Sequence, residues 1–190
     1  MPHNPRMPTW SGQRAWIVGA SSGIGRAVAL ALLDRGASVT VSARSGEALG
    51  HLAAGRPGCT PLVLDVKDPA QIASAARQVL AQGPLDLMLY CAGHYLPQRA
   101  TAYDTAELVA HMRTNYEGAL HALGAVLPAM LARGQGHLSL VGSVAGYTGL
   151  PNSLAYGPTK AALINFAQTL HYDLHPRGLG VSIVNPGFVR

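Results

Sequence analysis

Three side chains late in the chain are of types that do acid–base chemistry: Ser143, Tyr156 and Lys160. Tyr156 and Lys160 are four residues apart in a stretch that reads as helix, so both project from one face. An ammonium beside a phenol favours the phenolate and draws a tyrosine pKa down from its usual value of about 10, which makes it a usable general acid or base. Ser143 closes an apolar run that reads as strand, and its hydroxyl can hold a carbonyl oxygen. Such a set can present a carbonyl to a nicotinamide, the cofactor supplying the reductant and the protein the proton. Alone, a Tyr-x-x-x-Lys pair is a common surface coincidence, so its meaning depends on what surrounds it.

A second constellation lies near the start. An apolar run leads straight into Gly19-Ala20-Ser21-Ser22-Gly23-Ile24-Gly25 and then into a helical stretch, which places the glycines in a strand-to-helix turn. Glycine there permits positive φ and close approach of a pyrophosphate, and the following helix offers unpaired N–H groups and partial positive charge. The spacing is G-x-x-x-G-x-G rather than G-x-G-x-x-G. The bland reading is a tight turn without a ligand. Where dinucleotide enzymes often place an acid, after the second strand, stands Arg44. A guanidinium can meet a 2′-phosphate bidentately and no carboxylate opposes it, so NADP(H) is favoured over NAD(H). Asp65 could accept a hydrogen bond from an adenine amino group with Val66 beside the ring; otherwise it caps a helix.

The elements that must position these groups alternate. Apolar runs at 15–20, 38–43, 61–66, 85–92, 137–143 and 180–186 read as six strands, and stretches at 24–36, 69–83, 106–134 and 154–178 read as helices, several ending on Gly. Near-continuous apolar strands separated by helices predict one doubly wound parallel α/β sheet, a Rossmann fold with helices on both faces. Ligands then bind at the carboxyl ends of the strands, where every motif above falls. Residues 1–12 read as an irregular lead-in and 13–190 as one NAD(P)-binding domain.

Composition narrows the function classes. At 48% hydrophobic and only 12% charged residues, the 190-residue chain is matched to a packed core and not to disorder. The net charge of +5 is spread over single Lys and Arg residues with 6% aromatics, which argues against nucleic acid as a partner. No apolar run is long enough for a membrane span, and without a signal-like h-region a cytoplasmic address is expected. Cys59 and Cys91 read as small buried hydrophobes. Of the histidines, His94 could line the cleft, His171 and His175 are four apart and could hold a metal in principle, and His111 has no evident partner carboxylate. The expectation is no metal.

Taken together, Gly19 to Gly25, Asp65, the Cys91-Ala92-Gly93 turn, Asn115, the Ser143, Tyr156 and Lys160 set, and Pro186-Gly187 resemble the classical short-chain dehydrogenase/reductase family over nearly the whole chain. The resemblance implies that Tyr156 is the acid/base and that Lys160 lowers its pKa and binds the nicotinamide ribose. It further implies that Ser143 orients the substrate and that Asn115 supports a water-linked proton relay. Ala92, Gly93, Pro186 and Gly187 join the glycine turn in cofactor binding. An oxidoreductase interconverting a small carbonyl compound and an alcohol is implied, with NADPH as cofactor and a homo-oligomer as the full-length form.

Three departures stand out. Val18 replaces the usual threonine before the first glycine, which a main-chain strand position tolerates. Cys91 replaces an asparagine, putting a thiol where an amide ties neighbouring strands. Family members run to roughly 250 residues, adding a substrate-covering loop, helices and a last strand after the Pro-Gly turn. A C-terminally truncated form is therefore expected, with the final strand missing and the sixth strand's edge open. A non-catalytic dinucleotide-binding or redox-sensing module is the alternative, predicting cofactor binding without turnover.

Overall fold

The computed structural model describes residues 3–5 and 9–187. The chain end, Phe188 to Arg190, and part of the expected lead-in lie outside the described residues. The elements run β1 (Arg14–Val18), α1 (Gly23–Leu33), β2 (Ser38–Ala43), α2 (Gly46–Ala53), β3 (Cys59–Val63), α3 (Pro69–Ala81) and β4 (Leu87–Tyr90). Then follow α4 (Thr105–Met112), a π-helical turn (Arg113–Glu117), α5 (Gly118–Arg133), β5 (Gly136–Val141), α6 (Tyr156–Leu174) and β6 (Leu179–Val184). The strands form one parallel sheet in the order β3-β2-β1-β4-β5-β6. Strand order reverses between β1 and β4, which opens a crevice at their carboxyl ends.

Alternation along each strand feeds two cores. Trp16, Val18, Met88, Tyr90, Leu138 and Leu140 face α3, α5 and α6, and pack on Val79, Val126 and Leu163. Ala15, Ile17, Val39, Val41, Leu87 and Leu89 face the other way, onto Ala29 and Leu32 of α1 and Leu49 and Leu52 of α2. Both faces of the central strands are covered, which is why those segments read as unbroken apolar runs. The one polar group on Trp16 is matched: its Nε1 donates to Ser42 Oγ at 3.0 Å.

All six expected strands form, with boundaries moved. The third begins at Cys59 and releases Asp65 and Val66, which lie beyond its end instead of within it. The fourth is only Leu87–Tyr90, so Cys91, Ala92 and Gly93 leave the sheet as loop. Helix α2 lies outside the stretches read as helix, and its Gly46 and Gly50 depress helix propensity. It forms because Ser45 Oγ caps it, accepting from Ala48 N at 3.2 Å, and because Leu49 and Leu52 are buried. The long helix expected over 106–134 is interrupted by the π-helical turn, which adds a residue to the ladder and rotates Asn115 into the interior.

At the far edge, the Asn4 side chain lies along β6: its Nδ2 donates to Val181 O at 2.8 Å, and Val181 N donates to its Oδ1 at 3.0 Å. His175 Nε2 lies 3.0 Å from His3 O beside it. Among the described residues, no helix is long and apolar enough to cross a membrane.

Candidate active site

Gly19 leaves β1 with φ of +95° and its N–H on Ser42 O at 2.7 Å. A Cβ there would overlap the main chain of Cys91 and Ala92, and one at Gly25 would overlap Gly19 O. Only glycine lets the two crossing segments pack this closely. Gly23, at φ +55°, faces open space. Ser22 precedes α1 in extended conformation and makes no side-chain cap, so the first-turn amides are left for another acceptor.

These residues form one end of a cavity of about 1020 Å³. Gly19, Ser21, Ser22, Gly23, Ile24, Arg44, Asp65, Val66, Ala92 and Gly93 line it on one side, and Ser143, Tyr156, Lys160, Pro186 and Gly187 on the other. Two expected site residues lie off the wall: Gly25 acts as packing beneath Gly19, and Asn115 is wholly buried. The Asn115 amide is fully engaged. Its Oδ1 accepts from His94 N at 2.6 Å, and its Nδ2 donates to His94 O and to Thr159 Oγ1, each at 3.0 Å. Its side chain therefore clamps the loop after β4 to α6.

Asp65 is not the cap of α3. Asp68 is, accepting from Ala70 N and Gln71 N at 2.9 and 3.2 Å, and those bonds hold its carboxyl below the usual range. Asp65 Oδ1 instead accepts from Lys67 N at 3.0 Å, at the rim of the cavity. Arg44 is exposed at the end of β2 and borders the same space.

Ser143 lies two residues past the end of β5, which stops at Val141 short of the expected 143, and is buried at the start of a 3-10 turn, its Oγ accepting from Ala145 N at 3.1 Å. Tyr156 opens α6, and Lys160 follows one turn on with Nζ 5.3 Å from the Tyr156 ring centroid. The electrostatics differ from the expectation that the lysine draws the phenol down. Burial pushes the Tyr156 phenol above its ordinary value, with the Ser143 hydroxyl opposing it. Burial also pulls the Lys160 ammonium down to about 8. Lys160 Nζ donates to Val141 O at 2.8 Å and lies over the tyrosine ring, with no hydrogen bond to the phenol oxygen among the described residues.

Several residues on or next to the cavity wall carry weak or no signal in the sequence. Cys91 is only half-buried and borders the cavity, its thiol pushed up by burial. The Tyr95 ring meets Tyr156 edge-on at 5.1 Å between centroids. His111, expected to lack a carboxylate, has Glu107 Oε1 at 3.1 Å from its Nδ1. Their four-residue spacing on one helix was the available signal.

The chain matches the short chain dehydrogenase family model over residues 13–190. It is 37% identical over 189 residues to an uncharacterized oxidoreductase of Myxococcus xanthus, covering 97% of this chain and 75% of that one. A short-chain dehydrogenase from Streptomyces avermitilis superposes with a TM-score of 0.91 at 34% identity, over 95% of this chain and 67% of that one. A gluconate 5-dehydrogenase from Burkholderia cenocepacia, solved with NADP and tartrate, gives 0.87 at 28% identity, over 94% and 72%. A glycine turn that admits no side chain, a crevice where the strand order reverses, and this likeness along the whole sheet lead to one conclusion: the chain belongs to the short-chain dehydrogenases, the NAD(P)-dependent oxidoreductases of small molecules.

Proposed function

We propose that this protein interconverts a carbonyl compound and an alcohol with NADP(H), Tyr156 acting as general acid/base. The observation that carries the reading is that Ser143, Tyr156 and Lys160 share one cavity with the glycine turn. The cavity fits a dinucleotide: the space above Gly23 and the unpaired α1 amides suit a pyrophosphate, and Arg44 suits a 2′-phosphate with no acid on that rim position to repel it. When bound, the nicotinamide gives or takes the hydride. Everything else falls to the chain. Ser143 Oγ holds the substrate oxygen, and Tyr156 Oη delivers a proton to it in reduction or removes one in oxidation. Lys160 Nζ holds the ribose hydroxyls and keeps positive charge beneath the phenol, while Asn115 fixes the wall on which the substrate rests. A phenol raised by burial is protonated at neutral pH, which suits reduction.

The test is NADPH consumption with a panel of ketones and aldehydes. Wild type is expected to turn over at least one member, and Tyr156→Phe to lose about 10³-fold in kcat, the usual worth of a positioned general acid. Arg44→Ala should raise KM for NADPH about 10-fold and leave that for NADH unchanged. Undiminished turnover in Tyr156→Phe overturns the mechanism. Tight NADPH binding with no turnover in wild type supports the non-catalytic alternative.

A further inference from the structure

His94 follows Gly93 on the cavity wall, and a chain of hydrogen bonds from α4 holds its ring from behind. Leu96 N donates to His111 Nε2 at 3.1 Å, so that nitrogen carries a lone pair and the His111 proton sits on Nδ1. That proton is shared by Glu107, whose main-chain O is 2.9 Å and whose Oε1 is 3.1 Å from His111 Nδ1. Glu107 Oε1 in turn accepts from His94 Nε2 at 2.5 Å. The His111 side chain is 0% exposed, that of Glu107 18% and that of His94 38%, so the chain runs from the interior out to the cavity. Asn115 fixes the His94 main chain at both N–H and C=O. His94 Nδ1 has no hydrogen-bond partner among the described residues. A carboxylate that holds one imidazole nitrogen sets the tautomer and aims the other nitrogen, the use to which buried carboxylates are put beside working histidines. The neighbouring residue, Tyr95, is packed on Tyr156, so the loop that carries His94 lies against the catalytic tyrosine and His94 borders the same cavity.

We propose that His94 contacts the substrate through an oxygen function on the carbon next to the reacting carbonyl: its Nδ1 lone pair accepts from a hydroxyl, and in the imidazolium form, with Nε2–H still on Glu107, its Nδ1–H donates to a carboxylate. Glu107 and His111 are positioning residues. The substrate class is thereby an oxygenated ketone or keto acid in preference to a bare ketone; this rests on the carbonyl reduction proposed above. His94, Glu107 and His111 also offer ligand atoms within 4.8 Å of one another. A metal would have to displace either Glu107 or Leu96 from a His111 nitrogen, so the hydrogen-bonded chain is the arrangement the geometry favours.

The experiment compares acetone, hydroxyacetone and pyruvate as substrates of the full chain with NADPH. Wild type is expected to favour at least one oxygenated ketone over acetone by about 10-fold in kcat/KM, because the added oxygen makes a hydrogen bond to an imidazole held in place by Glu107 that the bare analogue cannot make. In His94→Phe, and in His94→Gln should the first fold poorly, that ratio falls to within about threefold. Glu107→Ala collapses the ratio as well, whereas Glu107→Gln, whose amide oxygen still accepts from Nε2, retains it. A merely structural role for Glu107 would lower all three substrates together and leave the ratio unchanged. A ratio unchanged in both His94 variants, or no preference in wild type, overturns the inference while leaving carbonyl reduction intact. So does activity lost to a chelator and restored by zinc. If wild type reduces none of the three, the ring nitrogens are read by NMR with NADP⁺ present: hydroxyacetone or pyruvate should shift His94 Nδ1 and acetone should not. Equal or absent shifts overturn it.

Discussion

Lys160 is the residue whose environment most opposes its chemistry. Its pKa is pulled from 10.5 to about 8 by burial, so between those values the unfolded chain binds more protons than the folded one. Stability contributed at this position therefore rises with pH across that window, and at neutral pH the fold carries the cost of a buried ammonium, up to about 3 kcal/mol before the bond to Val141 O offsets part of it. Lys160→Met is accordingly expected to melt higher than wild type near pH 7, with the advantage fading toward pH 10.5. Calorimetry of the pair at several pH values checks the sign; a constant difference would show that packing and not charge is responsible. The types and spacing of Ser143, Tyr156 and Lys160 were legible in the sequence because a helix repeats every 3.6 residues. The direction of their shifts was not, since it depends on how deeply the folded chain buries them. Nor was the contact from His94 to Glu107, which bridges a loop and a helix 13 positions apart.

At the level of elements, the glycines are of two kinds. Gly25 is buried beneath Gly19 O, and Gly50 in α2 meets nothing within 4 Å. Gly25→Ala should destabilise by about 1–3 kcal/mol or more and loosen NADPH binding. Gly50→Ala should stabilise by about 0.5–1 kcal/mol, since only backbone entropy changes. Urea midpoints with unchanged slopes would check both. The strand-to-helix turn could be read from the sequence because its glycines lie between a strand and a helix. Helix α2 could not, because the Ser45 cap and two buried leucines outweigh two glycines only once β2 and β3 are in place. The π-helical turn escaped for a similar reason: Asn115 secures it through His94 and Thr159, partners 21 and 44 residues away.

For the whole molecule, the cavity is walled by both halves of the sheet, β1 to β3 contributing Gly19, Arg44 and Asp65 and β4 to β6 contributing Ser143 and Pro186. A ligand bridging the halves stabilises them jointly. NADP⁺ at a hundred times its Kd should add about 2.7 kcal/mol and raise Tm in one cooperative transition. Two separate transitions, with one insensitive to NADP⁺, would show that it binds a single half. The six parallel strands and their two-sided cover followed from apolar runs alternating with helices, while the exact register is set by side chains meeting across the sheet. At its β6 edge, Asn4 does with one amide what a whole strand would otherwise do, presenting a donor and an acceptor to Val181 in the spacing of a peptide unit. Such a plug adds little to a melting temperature. Its consequence is one of competition: a strand from a neighbouring molecule that paired along this edge would have to displace Asn4 from Val181 first.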